Sequence, residues 1–411
     1  MTEATLRLKK NGERRIRRGH PWVYSNEIDI AKTPLKGLTA GIQATIEAYD
    51  GKPLGSACIN PGALIRGRLY SRSGGTLLDI RLISRLLKKA LLLREKLFSA
   101  PYYRLCYGDG DGLSGLVIDR YGDVLVVQIS TAGMEALKQP IIDVLQKILS
   151  PKTILLKNDS GQRVLEGLEK YSEVVVGTLD ELTPLEENGV RFLAPLAKGQ
   201  KTGWFYDHRF NRAQLSRYVN GMRVLDLYSY VGGWGIQAAT FGASEVVMVD
   251  SSTLALEVAG ENARLNEVQD KCKTVHAEVL EALKQFRADG EKFDMVILDP
   301  PALIKRKKDQ RKGEEHYHNL NQQAVQLLNP NGFLVSGSCS MNLSEERLID
   351  ILGTAAHRNG RTIQILEKGG LGADHPLSPA IPEMDYLKSV FCYMTKNHIQ
   401  HQTTQESNTD S

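Results

Sequence analysis

Three short stretches of this chain hold residues whose types and places suit chemistry: Asp226, Asp299-Pro300-Pro301 and Ser338-Cys339-Ser340. Asp226 stands among Val224, Leu225 and Leu227, where a carboxylate is costly unless something hydrogen-bonds it, either a ligand cation or the amides of the turn that follows. That turn holds Gly232, Gly233 and Gly235, so an apolar strand runs into a loop where a ligand can touch backbone. Two successive prolines cannot continue a sheet ladder, so the backbone at Pro300 and Pro301 is rigid and its carbonyls are free. Asp299 and the Pro300 carbonyl are then suited to accept hydrogen bonds from a planar substrate that carries an amino group. Cys339 follows a strand, is flanked by hydroxyls and shares its edge with a basic loop that would favour thiolate. The commoner fate of a cysteine is to be a small buried hydrophobe, and Cys58, Cys106, Cys272 and Cys392 have no better claim than that.

The glycine turn admits two cofactors. Gly233-Trp234-Gly235-Ile236-Gln237-Ala238 fits the dinucleotide fingerprint, which makes a nicotinamide oxidoreductase a rival reading. Asp226 counts against it, because a pyrophosphate gains nothing from a nearby carboxylate, whereas the amino and sulfonium groups of S-adenosylmethionine are cationic. Asp250, at the end of the next strand, can accept from both ribose hydroxyls of either cofactor. Glu278, past the third strand, can receive the adenine amino group.

The elements that must position these residues alternate regularly. Strands are expected at 222–227, 245–249, 273–276, 293–298 and 332–336, with helices at 236–241, 252–266, 279–287, 314–328 and 344–359. This predicts a doubly wound parallel sheet with ligands at the carboxyl ends of its strands. Strands at 362–367 and 387–394 lack a long helix between them and should form an antiparallel edge. Upstream, short strand-like runs at 43–48, 55–59 and 64–69 suggest a small β-barrel or meander. A basic amphipathic helix over 77–98 and an α+β unit ending near Pro184 follow. The glycine-rich acidic stretch 107–112 lacks the closing glutamate of a calcium loop and reads as a tight turn. In the loop 196–212, Asp207 is expected to cap a helix starting near Arg209.

Charge points to a nucleic-acid partner more by place than by amount, since the net charge of the 411 residues is only +4. Arg7, Lys9, Lys10, Arg14, Arg15, Arg17 and Arg18 precede His20, Trp22 and Tyr24, a mixture that serves both phosphates and bases. Lys305, Arg306, Lys307, Lys308, Arg311 and Lys312 crowd the loop after the prolines. Either run is also what an ordinary solvated surface looks like. Five cysteines without CxxC spacing argue against a zinc ribbon or a disulfide framework, and no metal is expected. No run reaches about 18 apolar residues, so no membrane span is expected and the compartment reads as cytoplasmic. The polar segment 398–411 is expected to be disordered.

Six quoted stretches give the chain a family resemblance: HPWVYSNEI, KTGWFYDHRFNR, VLDLYSYVGGWGIQAA, LDPPALIKRKKD, SCS and DHPLSPAIPEMDYLK. Over residues 1–397 it resembles the RlmI-type ribosomal RNA methyltransferases, which methylate carbon 5 of a cytosine. The resemblance implies a PUA-like RNA-binding domain over 1–75, an α+β middle domain over 76–185 and a Rossmann-like class I methyltransferase domain over 186–397. It implies S-adenosylmethionine as cofactor, held by Asp226, Tyr228, Gly232, Gly233, Gly235, Asp250, Glu278 and Asp299, with Thr202 and Phe205 on a flap. It implies ribosomal RNA as partner, met by Arg15, Arg18, Trp22, Pro300, Pro301 and Lys305–Lys308, and leaves a homodimer open. Cys339 would be the nucleophile and Asp299 its catalytic companion. Another group of RNA cytosine methyltransferases carries a second cysteine where this chain has Pro301, so release assisted by a second thiol is not available here. Asp374 or His375 is a candidate for the late base, against a purely structural turn. Methylation of an exocyclic base nitrogen, nicotinamide chemistry and RNA binding without catalysis are the competing readings.

Overall fold

The structure, a computed structural model, describes residues 4–397; the segment 398–411 lies outside them. The chain divides into two compact units. The first runs through Gln214 and includes Glu257–Gln269 and Gly370–Tyr386. The second comprises Leu215–Leu256, Asp270–Gly369 and the chain from Leu387.

The first unit opens with a five-stranded sheet of β1 (Ala4–Arg7), β2 (Trp22–Tyr24), β3 (Ile42–Glu47), β4 (Pro53–Ile59) and β5 (Ile65–Ser71), in the order β1-β3-β4-β5-β2. Leu6, Val23, Ile46, Ala57, Ile59 and Leu69 alternate inward to form its core. Arg66 and Arg68 lie on β5, but Arg72 falls just beyond it and donates to the Ile16 carbonyl at 2.9 Å. Helix Ile80–Leu97 begins where the Asp79 carboxylate accepts the Arg81 and Leu82 amides. A second sheet follows, of β6 (Tyr102–Tyr107), β7 (Leu116–Tyr121), β8 (Val124–Ile129), β9 (Thr153–Asn158) and β10 (Tyr171–Val176). Helix Lys138–Leu149 supplies the crossover that its one parallel pair, β8 and β9, requires.

The acidic stretch after β6 is a structural turn. Arg94 takes both oxygens of Asp111 at 2.7 Å, and the Trp22 indole donates to Asp109 at 3.0 Å. A hairpin of β11 (Thr183–Glu187) and β12 (Val190–Ala194) was not foreseen. Its signal was present: Asn188 and Gly189 both have positive φ, as a two-residue hairpin turn needs, and Asn-Gly is the strongest short hairpin signature.

The second unit is built on one seven-stranded sheet: β13 (Arg223–Leu227), β14 (Glu245–Asp250), β15 (Cys272–His276), β16 (Phe293–Leu298), β17 (Leu328–Ser338), β18 (Arg361–Gly369) and β19 (Lys388–Lys396). The order is β15-β14-β13-β16-β17-β19-β18. All neighbouring pairs are parallel except those of β19, which is antiparallel to both β17 and β18. The expected antiparallel pair is therefore present, with its reversed strand one place in from the edge. Central strands are largely apolar because both faces are covered, and Leu225, Val247, Val296 and Leu334 join a core completed by Leu283, Leu320 and Leu352 from the flanking helices. Among the described residues no helix is long and apolar enough to cross a membrane.

Candidate active site

Strand order reverses at β13, which pairs with β14 on one side and β16 on the other. In open α/β sheets such a switch point opens a crevice beyond the carboxyl ends of the strands. The residues that end or follow these strands are Asp226, Asp250, Asp299 and Cys339, so four of the expected site residues come to one edge of one sheet.

Asp226 is fully buried, and its Oδ2 accepts the Gly235 amide at 2.8 Å. Glycine is required at 235 for space: a Cβ there would lie 2.9 Å from that same oxygen and 2.7 Å from Met248 Cγ. The turn between them is backbone under strain, since Tyr228 and Tyr230 have φ of 63° and 49°, a region bulky side chains rarely enter. Both Asp250 oxygens take backbone amides, Oδ2 from Tyr230 and Oδ1 from Ser252, each at 2.9 Å. Burial pushes the Tyr228 hydroxyl up to about 12, with further contributions from Glu278, Tyr317 and Asp250. Tyr228 thus shares an electrostatic neighbourhood with Asp250 and Glu278. Glu278 itself is exposed, at the start of helix Val279–Ala288.

On the other side of the switch point, the Trp234 indole donates to Asp299 Oδ2 at 3.0 Å. Pro300 is buried and Pro301 exposed. The Cys339 Sγ stands 3.8 Å from the Pro300 carbonyl, so the thiol and the proline motif face one another across adjacent strand ends. A hydrogen-bonded scaffold lies beneath. The Tyr317 hydroxyl contacts Ser338 Oγ at 2.9 Å and Ser340 Oγ at 3.0 Å, and Ser340 Oγ accepts the Ile304 amide at 3.1 Å. Lys388 Nζ donates to the Ser340 carbonyl at 3.0 Å. Trp234, Tyr317 and Lys388 were not among the expected site residues. The basic loop beyond Ile304 is exposed from Lys305 to Lys308, with Arg306 paired to Asp309 at 2.9 Å.

The other thiols have inert surroundings. Burial raises Cys58 and Cys392 to about 12 and Cys272 to about 11, and pushes Cys106 higher still.

Known proteins show the family. A family model described as S-adenosylmethionine-dependent methyltransferase matches residues 167–368, and a PUA-like domain model matches residues 6–72. "Ribosomal RNA large subunit methyltransferase I" of Escherichia coli O139:H28 is 36% identical over 394 residues, which covers 94% of this chain and 98% of that protein; the protein of that name from strain K12 matches equally. The chain belongs to the RlmI family.

Solved structures show the same fold at lower identity. A Streptococcus mutans protein described as a SAM-dependent methyltransferase superposes with a TM-score of 0.80 at 20% identity, over 95% of this chain and all of that one. The methyltransferase SMU.776, complexed with SAH, gives 0.81 at 20% identity over 96% and 100%. Family membership makes S-adenosylmethionine the cofactor of this RlmI-family chain. The residues at the switch point suit it: Asp226 and Asp250 offer carboxylates at successive strand ends, and the glycine at 235 keeps the backbone close.

Gly232, with a φ of 85°, and Gly233 lie in the turn before Gly235, and the other expected residues of this RlmI-family chain lie in the first unit. Thr202 is fully buried, with its hydroxyl on the Trp204 carbonyl at 3.3 Å and its own carbonyl accepting from Tyr121 at 3.1 Å. Phe205 is half-buried under the Lys201 ammonium, 4.8 Å from the ring centre. Asp207 does not cap the following helix. It sits within the turn Tyr206–His208, and its Oδ2 accepts from the Tyr386 hydroxyl at 2.7 Å. Of the candidate RNA contacts, Arg15 pairs with Glu27 at 2.8 Å and lies over the Tyr24 ring, while Arg18 is exposed. Trp22 is half-buried and held through its indole nitrogen by Asp109.

Asp374 and His375 favour the structural alternative. Both side chains are fully buried, Asp374 Oδ2 accepts the Arg104 amide at 2.9 Å and its Oδ1 meets His375 Nδ1 at 2.8 Å. Burial pushes Asp374 up, but His375, Arg209 and the Arg104 amide together outweigh it and hold the carboxyl below its ordinary value. Such a group is a poor base.

Proposed function

We propose that this chain transfers a methyl group from S-adenosylmethionine to carbon 5 of a cytosine in large-subunit ribosomal RNA, with Cys339 as nucleophile. The observation that carries the reading is the 3.8 Å approach of the Cys339 sulfur to the Pro300 carbonyl, beside the strand ends that hold the cofactor residues. The name of the relatives supplies the RNA class.

Carbon 5 of cytosine is too weak a nucleophile to take a methyl group unaided. The Cys339 thiolate adds to carbon 6, and the electron pair of the ring double bond becomes available at carbon 5. S-adenosylmethionine supplies the methyl group on a positively charged sulfur. Asp299, oriented through Trp234, and the Pro300 carbonyl bind the amino and ring-nitrogen edge of the base, and Asp299 shares a proton with ring nitrogen 3 to stabilise the adduct. Removal of the carbon 5 proton by a base re-forms the ring double bond and expels the thiolate. Asp226, Tyr228, Gly232, Gly233, Gly235, Asp250, Glu278 and Asp299 are the proposed cofactor residues. Lys305, Arg306, Lys307 and Lys308 meet RNA phosphate, as do Arg15 and Arg18, and Trp22 offers a ring face to a base.

The test is a map of 5-methylcytosine in ribosomal RNA from cells with and without the protein. One site should vanish without it and return with the wild-type chain, but not with Cys339→Ala, which should still bind S-adenosylmethionine. An unchanged map overturns the proposal. Full activity in Cys339→Ala would favour methylation of an exocyclic nitrogen, for which Asp299 and the Pro300 carbonyl suffice.

A further inference from the structure

Lys388 is the first residue of β19 and pairs directly with Ser338, the last residue of β17. The residue after Ser338 is Cys339. Lys388 is nine-tenths buried, and its ammonium reaches past the strand end to the carbonyl of Ser340. A buried ammonium is expensive to keep, and here the backbone fixes it alongside the three-residue turn that carries the thiol. We propose that the Lys388 ammonium stabilises the thiolate form of Cys339 and so sets the pH above which the sulfur can attack.

Asp299, Tyr317 and the basic loop are the other charged and titratable groups set against this segment among the described residues. Asp299 follows β16, and a Cβ on Gly337 would come within 3.0 Å of its Oδ1, so its carboxylate opposes ionisation of the thiol. Tyr317, from helix Gln310–Gln326, is a neutral hydrogen-bonding partner whose hydroxyl is pushed above its ordinary value by burial first, with Cys339 adding to the effect. Lys305, Arg306, Lys307 and Lys308 are exposed, so solvent screens them. Lys388 is the buried cation in this set, and it is held one peptide unit from Cys339. A cation in such a place lowers a thiol from about 8.5 into a range of roughly 3.5–7.5. The thiol proton passes to solvent on ionisation, and the sulfur keeps the electron pair that later forms the bond to carbon 6. Lys388 touches neither base nor cofactor in this scheme. It is a positioning residue for charge.

The inference rests on Cys339 as nucleophile, and its test reads the sulfur directly. The full chain is alkylated with iodoacetamide between pH 5 and 10, and modification of the Cys339 peptide is timed by mass spectrometry. Lys388→Gln keeps a donor for the Ser340 carbonyl and removes the charge. Its alkylation midpoint should rise by at least about one pH unit, with a rate at pH 7 lowered about tenfold, while S-adenosylmethionine binding shows that the site is intact. Lys388→Arg keeps the charge and should keep the wild-type midpoint within half a unit. An unchanged midpoint in Lys388→Gln overturns the inference. If that variant does not fold, a one-unit rise in Lys388→Arg does the same. Full methylation by Cys339→Ala would remove the adduct mechanism, yet leave the effect of the lysine on the sulfur to be read in this assay.

Discussion

Gly235 concentrates two demands on one atom. Its amide donates to Asp226, and its missing side chain leaves the space that Asp226 Oδ2 and Met248 Cγ occupy. Gly235→Ala inserts a carbon closer than 3.0 Å to both, so the carboxylate must turn away from the crevice or the helix start must move. The expected result is a loss of S-adenosylmethionine affinity of about tenfold or more, roughly 1.4 kcal/mol, measured by calorimetry, with destabilisation of only about 1–3 kcal/mol. An unchanged affinity would mean that the turn adapts and that Asp226 is not held by this contact. Asp226, Asp299 and Cys339 were legible in the sequence because each breaks or ends an apolar run. Lys388 and Tyr317 were not, for a physical reason. Each reaches the thiol turn across tertiary distance, one through strand pairing 50 positions apart and the other from a polar helix, QRKGEEHYHNLNQQAVQ, whose composition hides its single buried tyrosine.

At the scale of elements, helix Gln310–Gln326 is a brace between the loops after β16 and β17, which carry the proposed catalytic residues. Through the Tyr317 hydroxyl it holds Ser338 and Ser340, and through Ser340 it holds the amide of Ile304, so the loops after β16 and β17 are linked by one buried oxygen. Tyr317→Phe leaves two buried hydroxyls short of a partner. It should destabilise the chain by about 1–3 kcal/mol in a urea titration, and should lower the methylation rate with little change in S-adenosylmethionine affinity. If the rate is unaffected, the brace serves stability alone. The elements themselves were largely legible: β16 falls where the apolar run 293–298 predicts it, and β13 and β14 lie within one residue of expectation. The hairpin β11–β12 is hard to read from the sequence because the buried set of its first strand is Thr183, Leu185 and Glu187, only one of them apolar.

At the scale of the molecule, stability in acid is written into the first unit. Glu187 is buried among Arg212 at 2.6 Å, Arg209 at 3.6 Å and the Trp204 indole at 2.9 Å. Burial pushes its carboxyl up, but the two guanidinium groups and the indole outweigh this and hold it below its ordinary value. Asp207 is depressed likewise, with Lys201, His208 and His375 outweighing its burial. A carboxylate depressed in the folded state contributes stability in full above its unfolded value, about 3.9–4.3 for these residues, and loses it as pH falls toward the folded value. Thermal unfolding should therefore shift downward as pH drops from 5 to 3. Glu187→Gln leaves buried guanidinium groups uncompensated. It should cost about 3–5 kcal/mol at pH 7 and flatten the acid dependence, and a slope equal to that of the wild type would show that other groups govern acid unfolding.

The pairing of Ser338 with Lys388 also bears on how such a chain can diverge. Successive side chains of a strand point to opposite faces, so one residue gained or lost between Tyr386 and the start of β19 would swing the lysine to the far side and bring a neighbour in its place. The connection from β18 to β19 is anchored by the buried Asp374 and His375 and by the Tyr386 hydroxyl on Asp207, and its final step into the sheet has to be kept in phase. A single frame-preserving codon deletion at that step is the change expected to take the charge away from the thiol.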